Sequence, residues 1–168
     1  MTTTTPDISV RPATPADVPE IHRLLRGLAA FGGGLDRLSA READLLRDGF
    51  GDRPVFEVLL AERAGRAVGY ALFFPNYSTW EGRPGLYVED LFVEEAARGT
   101  GAGRRLLAAV AAIARARGYA RVELSVVEWN PARAFYGALG FAEKAEWRLQ
   151  RLDGEALDRL AGDDPIEA

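Results

Sequence analysis

Cysteine is absent from the sequence, and histidine occurs once, at His22. Without a thiol there is no disulfide, no thiolate nucleophile and no sulfur-ligated metal. One imidazole is too little for a His/Cys metal site, so only an all-carboxylate site would remain, and no metal is expected. Long apolar runs are missing too: no stretch reaches the roughly 20 residues that cross a bilayer. The threonine-rich residues 1–6 have neither the basic n-region nor the apolar h-region of a signal peptide. They read as a disordered tail, and the chain as cytoplasmic with no membrane partner. An excess of positive charge is also lacking. The formal net charge of −4 argues against nucleic acid, whose binders usually carry a basic footprint. A local anion site stays open, because local geometry can oppose the global sign.

What is present is the makings of a core. Of 168 residues, 48% are hydrophobic and 27% charged, the balance of one ordinary globular domain. The expected domain is 7–161, followed by a polar tail at 162–168. Residues 8–10 read as a short strand. Thr14 then caps a helix with Pro15 at its first position. It runs to Ala30, with Val18, Ile21, Leu24, Leu25 and Leu28 on one face. Ser39 and Glu42 have capping-box spacing, which predicts a second helix ending near Asp48. Residues 55–61 and 67–74 read as strands joined by the turn at Ala64 and Gly65. Residues 75–84 read as an aromatic, turn-rich loop, and 86–93 as a further strand. The pattern then predicts a helix over 103–117 ended by Gly118, and a strand over 121–127. A last helix over 130–139 is capped by Asn130 and ended by Gly140. From Phe141 onward the chain reads as extended. This order is α+β, with a mixed sheet and one parallel strand–helix–strand crossover.

Chemistry concentrates where a strand meets a helix, at Arg98, Gly99, Thr100, Gly101, Ala102 and Gly103, with Arg104 and Arg105 behind. Glycines there let backbone N–H groups converge on an anion. The helix N-terminus adds about half a positive charge, and the arginines add charge-assisted bonds. A phosphate or pyrophosphate is the natural guest. A Walker loop is excluded, since no Gly-Lys-Ser/Thr ending follows. A dinucleotide fingerprint is excluded as well, since Arg104 and Leu106 stand where it needs glycine.

In this loop the sequence resembles the GNAT superfamily of N-acetyltransferases, whose acetyl-CoA loop reads Arg/Gln-x-x-Gly-x-Gly/Ala. Arg98, Gly101 and Gly103 match it. A second family landmark is matched by Asn130, Phe135, Tyr136, Gly140 and Phe141, with Ala134 one place along. The resemblance extends from Ile8 to near Ala161. It is strongest to the diamine N-acetyltransferase branch, on residues 77–82, 87–93 and 128–130. It implies a GNAT-like twisted mixed sheet of about six to seven strands flanked by about four helices. It implies acetyl-CoA as co-substrate, a small-molecule amine as acceptor, and a homodimer. It further implies that Leu91, Phe92 and Val93 offer backbone groups to the pantetheine arm and that 98–104 hold the pyrophosphate. Asn130, Arg133 and Tyr136 would line the thiol end. Phe31, Trp80, Glu89, Val127 and Trp129 would line the amine site. One departure stands out: the aromatic–acidic pair usual for polyamines is here Phe31 and Gly32, so the carboxylate is missing.

An alkyl ammonium with a pKa near 10.4 is neutral in only roughly one molecule in 10³ at pH 7. Glu89 is the expected base, or else the amine's counter-ion. Strand alternation puts Asp90 on the other sheet face, in an ion pair with an arginine. Tyr136 is the expected proton donor to the departing thiolate. Direct transfer is expected, with no covalent acyl-enzyme, since no cysteine exists and no Ser/His pair is evident. His22 reads as a solvated helix residue. Other readings remain: an amino acid, antibiotic or protein N-terminus as acceptor, a CoA-binding module without catalysis, or a regulator binding another nucleotide.

Overall fold

Five strands pair in the order in which they occur along the chain: β1 (Ile8–Pro12), β2 (Glu57–Arg63), β3 (Arg66–Ser78), β4 (Arg83–Val93) and β5 (Val122–Leu124). The computed structural model describes residues 8–163. The expected tail at 1–6, and residues 164–168 of the expected C-terminal tail, lie outside the described residues. β1 to β4 form an antiparallel meander, and β5 pairs with β4 in parallel. The helices are α1 (Val18–Phe31), α2 (Glu42–Phe50), α3 (Ala102–Ala116), α4 (Ala132–Ala138) and α5 (Gly154–Asp163). The chain forms two compact units, one through Val127 and one from Glu128. No described helix is long and apolar enough to cross a membrane.

The first unit holds the sheet with α1, α2 and α3. On one face, Val58, Leu60, Tyr70 and Leu72 pack with Val18, Ile21 and Leu24 of α1 and Leu45 of α2. Alternation sends Leu59, Ala61, Ala71 and Phe73 to the other face. These are buried along with Leu106, Leu107, Val110 and Ala114 of α3. The stripes expected on α1 and α3 are therefore the ones buried. Leu25, Leu28 and Ile113 are half-buried at their margins.

Several local expectations change. Thr14 caps a 3-10 turn, Pro15–Asp17, ahead of α1 proper. Asp17 accepts hydrogen bonds from the Thr14 N–H at 2.7 Å and its hydroxyl at 2.9 Å. α2 begins without the Ser39–Glu42 box: the Asp44 carboxylate accepts the Arg41 N–H at 3.0 Å instead. The expected loop at 75–84 shrinks to four residues, because β3 continues through Ser78 and β4 starts at Arg83. Cross-strand pairing outweighs the turn signals of Pro75 and Pro84 there. Ala64 (φ 51°) and Gly65 (φ 76°) make the expected tight turn.

In the second unit, the Asn130 side chain accepts the Ala132 N–H at 2.9 Å, so the cap is as expected although α4 is short. The residues after Phe141 form no strand; α5 follows instead. With β5 reduced to three residues, the described chain has five strands and five α-helices, against the six to seven strands and four helices expected.

Candidate functional site

Pairing on β4 is two-sided only at its start. Leu86, Tyr87 and Val88 lie between β3 and β5, whereas beyond Val88 no described strand covers the outer edge. Leu91, Phe92 and Val93 fall on that open stretch. Such an edge presents backbone donors and acceptors to an extended partner. The Phe92 side chain is not part of it: it packs into the α1-side core. A Cβ on Gly27 would come within 2.8 Å of the Phe92 ring, so α1 sits close to β4 because residue 27 lacks a side chain.

The same stretch carries a bulge. Leu72 pairs with Asp90 and Phe73 with Val88, leaving Glu89 over. Phe73 and Leu72 are adjacent and so point to opposite faces; their partners must do likewise. Asp90 thus lies on the α1 face, where Tyr70 donates its hydroxyl to Asp90 Oδ2 at 3.0 Å. The alternation argument that separated Glu89 from Asp90 fails at this bulge. The partner of Asp90 is a buried phenol, not an arginine. Burial pushes the Asp90 carboxyl above its usual range and the Glu89 charge adds to the rise, while the Tyr70 hydrogen bond opposes it. Glu89 itself is exposed.

The glycine loop has the expected geometry. Gly99 (φ 76°) and Gly101 (φ 88°) are left-handed, and Gly101 caps α3. Neither has another group within 4 Å of where a Cβ would stand, so space opens beside the backbone. The first-turn N–H groups of Ala102, Gly103 and Arg104 precede any i−4 carbonyl and remain available to an anion. Thr100 turns inward, its hydroxyl donating to Ala97 O at 2.6 Å. The arginines divide. Arg104 is exposed at the helix start. Arg105 donates to Ile8 O on β1 at 2.5 Å. Arg98 donates from Nε to Val93 O at 3.2 Å and stacks over Phe31 at 5.0 Å. This brings the loop's first residue to the expected amine-site aromatic. Loop, open edge and 15-residue helix together suit a phosphorylated, extended ligand such as acetyl-CoA.

A model of the acetyltransferase (GNAT) family matches residues 22–141. The chain belongs to that family. Bos taurus thialysine N-epsilon-acetyltransferase is 36% identical over 92% of this chain and 98% of its own length. Homo sapiens spermidine/spermine N(1)-acetyltransferase-like protein 1 is 38% identical over 90% of this chain, which spans 23% of that longer protein. An integron cassette protein from the mobile metagenome of V. cholerae shares the fold, with a TM-score of 0.77 at 23% identity, over 92% of this chain and 98% of that one. The mixed α+β architecture is the GNAT fold, and the likeness to the diamine-acetyltransferase branch rests on similarity over at least 90% of this chain.

The remaining expected GNAT site residues lie as follows. Trp80 stands at the tip of the β3–β4 hairpin, 95% exposed, and Val127 is exposed. Trp129, Asn130, Arg133 and Tyr136 belong to the second unit. There Arg133 pairs with Glu143 at 2.7 Å and donates to Glu128 O at 3.1 Å. Tyr136 packs edge-on against Phe141 at 5.8 Å and beside Phe135 at 5.4 Å. Burial raises its phenol above the ordinary value, which keeps the proton on at neutral pH. His22 is not solvated: half-buried, its Nε2 lies 3.1 Å from Ala40 O. Sequence reasoning missed Tyr70, which reads as a core aromatic on an apolar strand. It also missed Glu94, held by Arg23 and Arg66 at the end of β4.

Proposed function

We propose that this enzyme transfers the acetyl group of acetyl-CoA directly to a primary amine of a small molecule such as a diamine, thialysine or a related amine. The observation that carries the reading is the junction of β4 and α3. An open strand edge, a left-handed glycine loop and a helix N-terminus follow one another there, with Glu89 on the bulge at the edge. Bound acetyl-CoA supplies an activated acyl carbon and a good leaving group. Leu91 and Val93 would hold the pantetheine arm through their backbone. Gly99 to Gly103, with Arg98 and Arg104, would hold the pyrophosphate. Glu89 takes the proton from the incoming ammonium, directly or through water, or anchors it as counter-ion. Tyr136, protonated at neutral pH, gives a proton to the leaving sulfur; Asn130 and Arg133 would line that end. Phe31, Trp80, Val127 and Trp129 would surround the amine. The reading includes a cytoplasmic location and a homodimer, the latter supported by the family resemblance.

A second reading changes only the acceptor. Where polyamine enzymes usually carry a carboxylate beside the aromatic, this chain has Gly32, and the Arg98 guanidinium covers Phe31. Positive charge there favours an amine that also bears a carboxylate, as amino acids do, over a polycation. The test is release of free CoA from acetyl-CoA across spermidine, putrescine, thialysine, lysine, other amino acids and a peptide N-terminus. Turnover with lysine or other amino acids but not with thialysine, putrescine or spermidine selects the second acceptor; turnover with thialysine, putrescine or spermidine selects the first. Acetyl-CoA binding without turnover on any amine overturns both.

A further inference from the structure

Tyr70 lies at the centre of the α1-side core, yet it carries a hydroxyl. Its ring packs among Val18, Ile21, Leu24, Val58, Leu60 and Leu72. An apolar ring of the same size would fill that space without bringing a polar atom into it. Among the described residues the hydroxyl's partner is Asp90 Oδ2 at 3.0 Å, and burial with that carboxylate holds the phenol firmly protonated. A buried polar group of this kind is costly unless paired, so the two groups depend on each other. Asp90 in turn sits next to Glu89, on the bulge where the strand changes faces.

The other groups around Asp90 are apolar or committed elsewhere. From α1 the residues facing this core are Val18, Ile21, Leu24, Leu25 and Leu28; from α2 they are Leu45 and Phe50. Of the ionisable α1 residues nearby, Arg23 pairs with Glu20 and Glu94, and His22 lies against Ala40 O. Burial and the Glu89 charge oppose the charged form of Asp90, and the Tyr70 hydrogen bond favours it.

We propose that Tyr70 is a positioning residue for acetyl transfer: by donating to Asp90 it fixes that carboxylate beside Glu89, so the bulge offers the amine a pair of carboxylates held in one arrangement. The inference rests on the amine-acetyltransferase reading and adds to it a residue that never touches substrate. Removing the donor leaves a buried carboxylate with less to stabilise its charge, so Asp90 takes up a proton at higher pH. The amine then meets one carboxylate instead of two.

The test is Tyr70→Phe, which deletes one oxygen and keeps the ring, with Asp90→Asn as the second variant. For an amine the wild type turns over, kcat/KM for the amine is expected to fall about tenfold or more, the size of a lost hydrogen bond to a charged group. The acid limb of its pH profile should move up by about one pH unit, while KM for acetyl-CoA stays the same. Tyr70→Phe in the Asp90→Asn background should cost little more. A merely structural role would lower the thermal midpoint without moving the acid limb, and that outcome overturns the inference. So does an unchanged amine kcat/KM. If the wild type turns over no amine, the functional reading itself fails. A carboxyl-carbon NMR titration of Asp90 then decides the Tyr70 link: an unchanged midpoint in Tyr70→Phe overturns it.

Discussion

The guanidinium of Arg98 lies 5.0 Å from the centroid of the Phe31 ring. The residue that opens the glycine loop thus rests on the residue that closes α1. An exposed cation–π contact is worth about 0.5–1 kcal/mol, so Phe31 holds Arg98 ready for a phosphate at modest cost. Phe31→Leu should weaken acetyl-CoA binding about two- to fivefold by calorimetry and also raise KM for the amine. Unchanged acetyl-CoA affinity would mean that Arg98 leaves the ring when the donor binds.

Tyr136→Phe should keep acetyl-CoA affinity and lower turnover by about 10²–10⁴ if the phenol is the general acid. The basic limb of the pH profile should disappear with it. Because burial raises the phenol, that limb in the wild type should fall above the ordinary tyrosine value near 10. Full turnover in the variant would return Tyr136 to a packing role beside Phe135 and Phe141.

At Gly101 the cost of a side chain is conformational, since nothing stands within 4 Å of the missing Cβ. A φ of 88° strains β-branched residues far more than asparagine. Gly101→Val should therefore lower the thermal midpoint and weaken acetyl-CoA binding more than Gly101→Asn does. Equal affinity in both variants and the wild type would reduce the loop to a turn.

Arg11 and Asp17 make a two-bond ion pair at 2.7 and 2.8 Å, joined by Glu62. The pair holds Asp17 well below the usual carboxylate range. A lowered native pKa gives stability that is present above the unfolded value near 3.9 and lost as pH falls below it. Asp17→Asn should cost about 1–2 kcal/mol at pH 7, allowing for the partial exposure of Arg11. Urea unfolding at a series of pH values should show the gap between wild type and variant closing below about pH 4. A gap independent of pH would mean that the capping contacts to Thr14, not the charge, matter.

The glycine loop, the helix stripes and the Asn130 cap were legible because each is a local pattern whose meaning depends on a few neighbouring residues. The bulge at Glu89 was not: nothing in the sequence around Tyr87, Val88 and Asp90 marks it, since it arises from the register against Leu72 and Phe73. With it went the partner of Asp90, for Tyr70 is twenty residues away. The extension of β3 and β4 past Pro75 and Pro84 was hidden for a similar reason. Turn residues set local preference, and the ladder from Asn76 with Gly85 to Ser78 with Arg83 overrides it. β5 and α5 were misjudged because short or weakly patterned segments take their state from their surroundings.

The one-sided pairing of β4 divides the strand into two regimes of solvent exchange. Amides bonded to β3 should exchange slowly along its whole length, as should those locked to β5 up to Val88. Outward-facing amides past Glu89 have no described strand to protect them and should exchange with the fast loops. An acyl donor lying along that edge would act as a temporary sixth strand. Protection that appears there on adding acetyl-CoA, and nowhere else in the sheet, would trace the donor's path amide by amide.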